Sequence, residues 1–264
     1  MKIATWNINS VRLRLPLALK FLKEFAPDAL CLQEIKATAE QFPTQAFAEA
    51  GYIHQAVNGQ KAYNGVAILS RLPFVKTEIG DFCREGHARH ITATFENDVT
   101  LHNFYVPAGG DVPDAGQNAK FDHKLHFLKA MIRHFERQKN RPSVKTVLVG
   151  DFNVAPLEND VWNHKQLLDV VSHTPAETRL LGELLAAVQA CDVTRHFIPP
   201  SQKIYSWWSY RAADWTASDR GRRLDHIWVS PALKDGLVSQ AIVKKMRGWQ
   251  KASDHVPVIA EFKP

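Results

Sequence analysis

Cysteine is scarce in this chain. Its 264 residues hold only Cys31, Cys83 and Cys191, odd in number and far apart, which rules out a disulfide framework. There is no CxxC pair to chelate zinc or carry redox chemistry. Long apolar runs are also missing: nothing approaches the ~20 residues of a membrane helix, so no membrane partner is expected. The opening residues Met1-Lys2-Ile3-Ala4-Thr5-Trp6-Asn7-Ile8-Asn9 put two amides where a signal peptide needs an apolar core, so a reduced, cytoplasmic protein is expected. No GxGxxG follows the first strand and no GxxxxGK[ST] occurs, which argues against a simple dinucleotide-binding or P-loop reading. Repeats, low-complexity tracts and Ser/Gly linkers are absent, so residues 1–264 read as one domain. Acids are the minority charge, 27 Asp+Glu against 33 Lys+Arg, and the net +6 favours a polyanionic partner.

Short β-branched and apolar runs are plentiful. Strands are expected at 2–7, 29–33, 65–70, 90–95, 100–105, 144–150, 223–229 and 256–262. Helical periodicity marks 15–25, with Pro16 suited to a first turn, and a four-turn apolar stripe of Phe121, Leu125, Leu128, Ile132 and Phe135. Thr174-Pro175-Ala176-Glu177 matches a capping box opening a third helix. Strands in succession with helices between some of them imply a layered α/β or α+β domain on mixed sheets.

The apolar strands keep running into carboxylates and carboxamides: Asn7 and Asn9, Gln33-Glu34, Gly150-Asp151-Phe152-Asn153, Leu224-Asp225-His226, and Ser253-Asp254-His255. Any one of these is an ordinary polar strand end. Five together suggest that Glu34, Asp151, Asp225 and Asp254 converge, and converging carboxylates need a cation or a proton among them. Hard oxygen ligands without a thiolate cage suit Mg²⁺, or Mn²⁺ in its place. Asp225 with His255 reads as an orienting pair, and metal, acid and histidine together are a recipe for phosphoester hydrolysis.

Arginines and aromatics interleave in Tyr205-Ser206-Trp207-Trp208-Ser209-Tyr210-Arg211, with Arg220, Arg222 and Arg223 following, which fits phosphate contacts and base or sugar packing. One of Trp207 and Trp208 is expected in the core. His87-Ala88-Arg89-His90 and His123/His126 lack zinc-protease or zinc-finger spacing, and His123 and His126 read as helix-surface residues.

Trp6-Asn7-Ile8-Asn9-Ser10-Val11-Arg12, Leu32-Gln33-Glu34-Ile35-Lys36, Asn64-Gly65-Val66-Ala67-Ile68-Leu69-Ser70, Gly150-Asp151-Phe152-Asn153, Trp207-Trp208-Ser209-Tyr210-Arg211, Arg223-Leu224-Asp225 and Ser253-Asp254-His255 resemble, in order, the blocks of bacterial exodeoxyribonuclease III, from residue 2 to about residue 262. The resemblance implies a four-layer α/β/β/α sandwich, two mixed sheets flanked by helices, with the site at one edge. It implies Mg²⁺-dependent incision 5′ to abasic sites, removal of blocked 3′ ends, and 3′-to-5′ exonuclease action on duplex DNA. In a bacterium, association with the nucleoid is expected, and a monomer is expected because no spare amphipathic stripe is left for a partner.

Carried over block by block, Glu34 is the principal metal ligand with Asn7 beside it. Asn9 stands where some relatives have an aspartate, and Asp254 falls on a second metal position. Tyr105, Asp151, Asn153, Asp225 and His255 fall on catalytic positions, of which Asp151, Asn153 and His255 also border the metal. Arg89 matches a phosphate-contacting arginine, and Tyr105, Trp207, Trp208, Arg211 and Arg222 are taken with it as DNA contacts. The resemblance leaves open whether Asp151 deprotonates water or protonates the leaving group, and whether Tyr105 acts as a phenolate. Ala108 replaces a frequent amide, and Arg222 replaces an apolar or aromatic residue, both on the expected DNA side. Other phosphoesterases of the superfamily and a non-catalytic DNA-binding module are the competing readings. Setting aside Glu34, Asp151, Asp225 and Asp254 leaves 23 acids against 33 bases, so the rest of the chain carries +10.

Overall fold

The computed structural model describes residues 1–137, 143–212 and 214–264. Among them, β1 (Lys2–Asn7), β2 (Ala29–Gln33), β3 (His54–Asn58), β4 (Val66–Ser70), β13 (Leu237–Ile242) and β14 (Val258–Phe262) form one mixed sheet, ordered β13-β14-β1-β2-β4-β3. A second mixed sheet, ordered β5-β6-β7-β8-β12-β9, contains β5 (Phe74–Glu78), β6 (His90–Phe95), β7 (Thr100–Tyr105), β8 (Thr146–Asp151), β9 (Cys191–Asp192) and β12 (Asp225–Val229). A short ribbon pairs β10 (Trp207–Trp208) with β11 (Gly221–Arg222).

Period-2 alternation sends each sheet's side chains to two faces. The inner faces meet in one apolar core, where Ile3, Cys31 and Ile68 of the first sheet pack with Ile91, Leu101, Val149 and Ile227 of the second. On the first sheet's outer face, Trp6, Leu30 and Leu32 receive Ala18, Phe21 and Leu22 of α1 (Val11–Phe25) and Phe47 of α2 (Thr44–Glu49). On the second sheet's outer face, Phe104, Leu148 and Trp228 receive Phe127, Leu128 and Met131 of α3 (Ala119–Glu136), together with Leu180, Leu181 and Leu184 of the helix Pro175–Val188. The result is the expected α/β/β/α sandwich.

The Thr174–Glu177 capping box forms as read. Pro16 sits further into its helix than expected: α1 starts at Val11, and Arg14 has non-helical dihedrals, so Pro16 opens the regular part after a kink. The strands missed in the sequence are the four sheet edges, β13, β3, β5 and β9, and the β10/β11 ribbon. Edge residues such as Val75, Lys76, Thr77 and Glu78 face solvent and give no apolar run to read.

A polar network crosses the inner core. Gln33 donates to Asn103 Oδ1 (2.7 Å) and Thr5 Oγ1 (2.9 Å), and Asn103 donates to the carbonyls of Leu32 and Ala67. It ties the last residue of β2 to the second sheet, one residue before Glu34.

Candidate active site

The site lies where strands of both sheets end on the same edge. In the first sheet the parallel pairing of β1 and β2 sets Asn7 opposite Gln33, so Glu34 follows beside Asn7. In the second, Tyr105 is opposite Asp151 in the parallel β7/β8 pair, and Asp225 is opposite Asp151 in the antiparallel β8/β12 pair. Three candidate residues thus form one row across adjacent strands. Gly150 permits this row, because a Cβ there would lie 1.9 Å from the Phe104 carbonyl oxygen.

Side chains from the two sheets then interlock. Tyr105 OH donates to Glu34 Oε1 at 2.8 Å. Asn7 Nδ2 donates to Glu34 Oε1 at 3.0 Å and to Asp151 Oδ2 at 2.9 Å. Asp151 also accepts from the Asn153 backbone N–H at 2.9 Å and from Asn153 Nδ2 at 3.1 Å. His255 Nδ1 meets Asp225 Oδ2 at 2.8 Å, and its Nε2 faces Asp151 Oδ2 at 3.7 Å. The other Asp225 oxygen, Oδ1, is buried without a partner. Asp254 accepts from Asn9 Nδ2 at 3.2 Å and from Trp207 Nε1 at 2.9 Å. Trp6 Nε1 donates to the His255 carbonyl, so a fully buried ring of β1 anchors the 253–255 loop.

These carboxylates are not alike electrostatically. Burial raises Asp151 well above the usual carboxylate range, and the charges of Asp225 and Glu34 add to it against the pull of His255. Burial disfavours the imidazolium of His255, but the carboxylates of Asp225 and Asp151 prevail and raise it well above an ordinary histidine. Burial also opposes ionisation of Glu34, yet Lys36 and the hydrogen bonds from Asn7 and Tyr105 outweigh it and lower its pKa. Asp254 behaves likewise, held low by His255, Trp207 and Asn9 against its burial. Tyr105 is raised well above 10, first by burial and then by Glu34 and Asp151.

Strain collects here. Asn9 (φ 46°), Glu34 (φ 49°), Lys36 (φ 51°) and Asn153 (φ 52°) all sit in the left-handed region, where a non-glycine residue costs of order 1–3 kcal/mol. A glutamate has no local reason to adopt it, and the conformation is held by backbone hydrogen bonds from Ser10 to Glu34 and from Ile35 to Gly65.

The donor set fits a hard divalent cation. Glu34 and Asp151 present carboxylate oxygens and no thiolate, and the buried Asp225 Oδ1 is left without a partner, while Asn7 and Asn153 turn their Nδ2 groups toward the acids, so each amide must turn over to offer its oxygen to an ion. Lys36 Nζ lies 2.9 Å from Glu34 Oε2 and 2.6 Å from Asn9 Oδ1, so a cationic group already bridges two of the predicted ligands.

Around this centre the predicted contact residues divide. Arg89 stacks over the Tyr105 ring at 4.7 Å and donates to the Tyr105 carbonyl, with its buried Nε unpartnered. Trp207 is half-buried with Arg222 over its ring, and Arg211 is exposed. Arg222 is partly committed elsewhere, donating to the Val171 carbonyl and Ser172 Oγ. Trp208 is a correction: it is 1% exposed, packed with Tyr205 and Val256 and bonded through Nε1 to Asp219, so its ring is core and unavailable to a nucleic acid. His123 is a second correction. Its side chain is only 14% exposed and meets Cys83 Sγ at 2.9 Å, because the segment after β5 folds over α3.

Some supporting residues had no signal in the sequence. Ser206 donates to Asp225 Oδ2 at 2.6 Å while accepting from the backbone N–H groups of Leu224 and Asp225. Arg14 gathers the carbonyls of Asn9, Lys251 and Ala252 with Tyr210 OH. Lys124, fully buried on α3, pairs with Glu177 and donates to the Asn153 carbonyl at 2.7 Å. A lysine off the apolar stripe of an amphipathic helix reads as solvated, which concealed Lys124.

The family model described as the Endonuclease/Exonuclease/phosphatase family matches residues 4–255. The chain belongs to this family, in its exodeoxyribonuclease III group. Exodeoxyribonuclease III of Haemophilus influenzae is 30% identical over 274 residues, covering 100% of both chains. An AP endonuclease from Archaeoglobus fulgidus superposes with a TM-score of 0.92 at 32% identity, and a 3′ phosphatase from Neisseria bound to product DNA hairpin with 0.90 at 33%, each covering 100% of both chains. This exodeoxyribonuclease III-type chain is a nuclease, and the four-layer sandwich is that of its structural neighbours.

Proposed function

We propose that this nuclease hydrolyses DNA phosphodiesters with a divalent cation, Mg²⁺ or Mn²⁺, incising duplexes 5′ to abasic sites and cleaning or trimming 3′ ends. The observation that carries this reading is the placement of Asp151 between two sets of partners, the Asp225–His255 pair on one side and the Asn7–Glu34 pair on the other. A DNA substrate is supported by the Neisseria relative's product hairpin and by the basic surplus outside the site.

Asp151 takes a proton from the attacking water, since its burial leaves it basic enough to do so near neutral pH and Asn153 fixes its orientation. The water oxygen bonds to phosphorus as the bond to the leaving 3′ oxygen breaks, and that oxygen takes a proton from solvent to become the 3′ hydroxyl. His255, held cationic by Asp225, faces the negative charge that develops on the phosphate. Tyr105 works as a hydrogen-bond donor, its raised pKa and its bond to Glu34 both favouring the phenol over the phenolate. Glu34 with Asn7 would hold the cation, joined by Asp151 and Asn153, with Asn9 and Asp254 at a second position. When bound, the cation supplies Lewis-acid stabilisation of phosphate charge. Arg89, Trp207 and Arg211 line the approach to the phosphate.

A duplex carrying one abasic site, incubated with Mg²⁺ or with EDTA, tests this reading. Metal-dependent incision that leaves a 3′ hydroxyl is expected. Tight binding without cleavage under both conditions would overturn it.

A further inference from the structure

A second cluster of ligand-type side chains lies outside the hydrolytic site. The connection from β5 to β6 brings Cys83, Glu85 and His87 over α3, where His123 faces them, and one donor atom from each lies within 4.8 Å of the others. Cys83 Sγ is 2.9 Å from His123 Nε2. Glu85 Oε2 lies 3.3 Å from His87 Nδ1 and 3.7 Å from His123 Nδ1. The His87 Nδ1 atom is buried and makes no hydrogen bond, with the Glu85 carboxylate 3.3 Å away as its charged neighbour.

We propose that Cys83, Glu85, His87 and His123 bind one borderline transition-metal ion, Zn²⁺ above all. One sulfur, two imidazoles and one carboxylate form a tetrahedral zinc set, whereas Mg²⁺ prefers six oxygens. Each residue offers one donor atom, His123 either Nε2 beside Cys83 or Nδ1 beside Glu85, and the four lie within 4.8 Å of one another, a short adjustment from the roughly 3.3–3.8 Å between ligands on a tetrahedral ion with bonds of about 2.0–2.3 Å. On binding, the Cys83 thiol loses its proton to solvent and its sulfur bonds to the ion. Thiolate and Glu85 carboxylate then balance the ion's two charges, which matters beside Arg84 and Arg89. Access is open, because a cavity of about 380 Å³ lined by Cys83, Glu85 and His123 reaches the surface, and the Glu85 side chain is 55% exposed.

The ion would clamp the β5–β6 connection onto α3. Arg89, which donates to the Tyr105 carbonyl, follows His87 by two residues, so the clamp also fixes the approach to the hydrolytic site. Sequence spacing hides this set, because His123 is 40 residues from Cys83 and on a different element.

Co²⁺ titration of the metal-stripped full chain tests the assignment. A thiolate-to-cobalt charge-transfer band that saturates at one equivalent and is abolished by Zn²⁺ is expected. The hydrolytic site has no sulfur and Cys31 is sealed in the core between the sheets; Cys191 is partly exposed but belongs to no cluster of three or more ligand-type side chains among the described residues, and Cys83→Ser separates it from Cys83. The band should vanish in Cys83→Ser and in His123→Ala and persist in Glu34→Gln. Absence of the band from the wild-type chain, or its survival in Cys83→Ser, would overturn the proposal, and the wild-type result needs no variant to fold.

Discussion

Tyr105 and Glu34 belong to different sheets, yet the phenol of one donates to the carboxylate of the other across 2.8 Å. The two halves of the sandwich meet in that bond, with Asn7 and Asp151 completing the bridge. Tyr105→Phe leaves the buried ring in place and removes only the donor. Single-turnover cleavage by this variant is expected to fall about 10²–10³-fold, the scale of losing one aligned donor to transition-state charge. An unchanged rate would reduce the tyrosine to a packing role.

Asp225 acts through His255. Asp225→Asn removes the strongest attraction on the imidazolium and one of the charges raising Asp151, so both pKa values drop. Activity requires Asp151 ionised and His255 protonated: it rises with pH as the first loses its proton and falls as the second does. Both limbs of the kcat/KM profile should therefore move to lower pH in Asp225→Asn, with a loss in rate of about 10²–10⁴-fold. A profile that keeps its alkaline limb would contradict the pairing.

Lys124 and Glu177 form an ion pair sealed from solvent, and Lys124 also holds the Asn153 carbonyl. Lys124→Met removes the counter-charge of the buried Glu177, leaving it only the N–H groups of Ser172 and Thr174 and the Thr174 hydroxyl, and is expected to cost about 3–5 kcal/mol of unfolding free energy, read from urea titration. Lys124→Met with Glu177→Leu should recover part of that loss without restoring full activity, since the tether to Asn153 is still gone. A double variant no more stable than Lys124→Met would show that the ion pair is not the source of the cost.

Burial depresses His90 well below 6.5, His102 to about 3 and His226 to about 4. The unfolded chain takes up protons at these positions below about pH 6.5, whereas the folded chain refuses them. Stability contributed by these residues is thus present above pH 6.5 and lost as pH falls toward 4. Asp151 runs the other way, because the fold retains its proton above the usual carboxylate range. His102→Gln should flatten the fall in urea midpoint over this interval, and an unchanged slope would show that His102 is not buried neutral.

Much of this was legible in the sequence because inner strands are apolar on both faces and end abruptly in polar residues. Asn7, Glu34, Asp151, Asp225 and His255 could be picked out for that reason, and the structure brings them together. The edge strands could not, since Lys76, Thr77 and Glu78 look like loop residues until the sheet is known. Trp207 and Trp208 are adjacent in a strand, so alternation alone sends one ring inward, but only the packing of Trp208 against Tyr205 and Val256 decides which. Ser206, Arg14 and Lys124 were invisible for a different reason. They act by holding backbone carbonyls and carboxylates set by tertiary structure, and their residue types carry no spacing signal.

The most direct test is the Asp151→Asn variant on a duplex with one abasic site in saturating Mg²⁺, with cleavage and binding measured in parallel. The carboxamide fills the same space but takes no proton from water, so turnover should fall by at least about 10³-fold while affinity for the duplex stays within a few-fold. Near-normal turnover in this variant would contradict Asp151 as the centre of the chemistry.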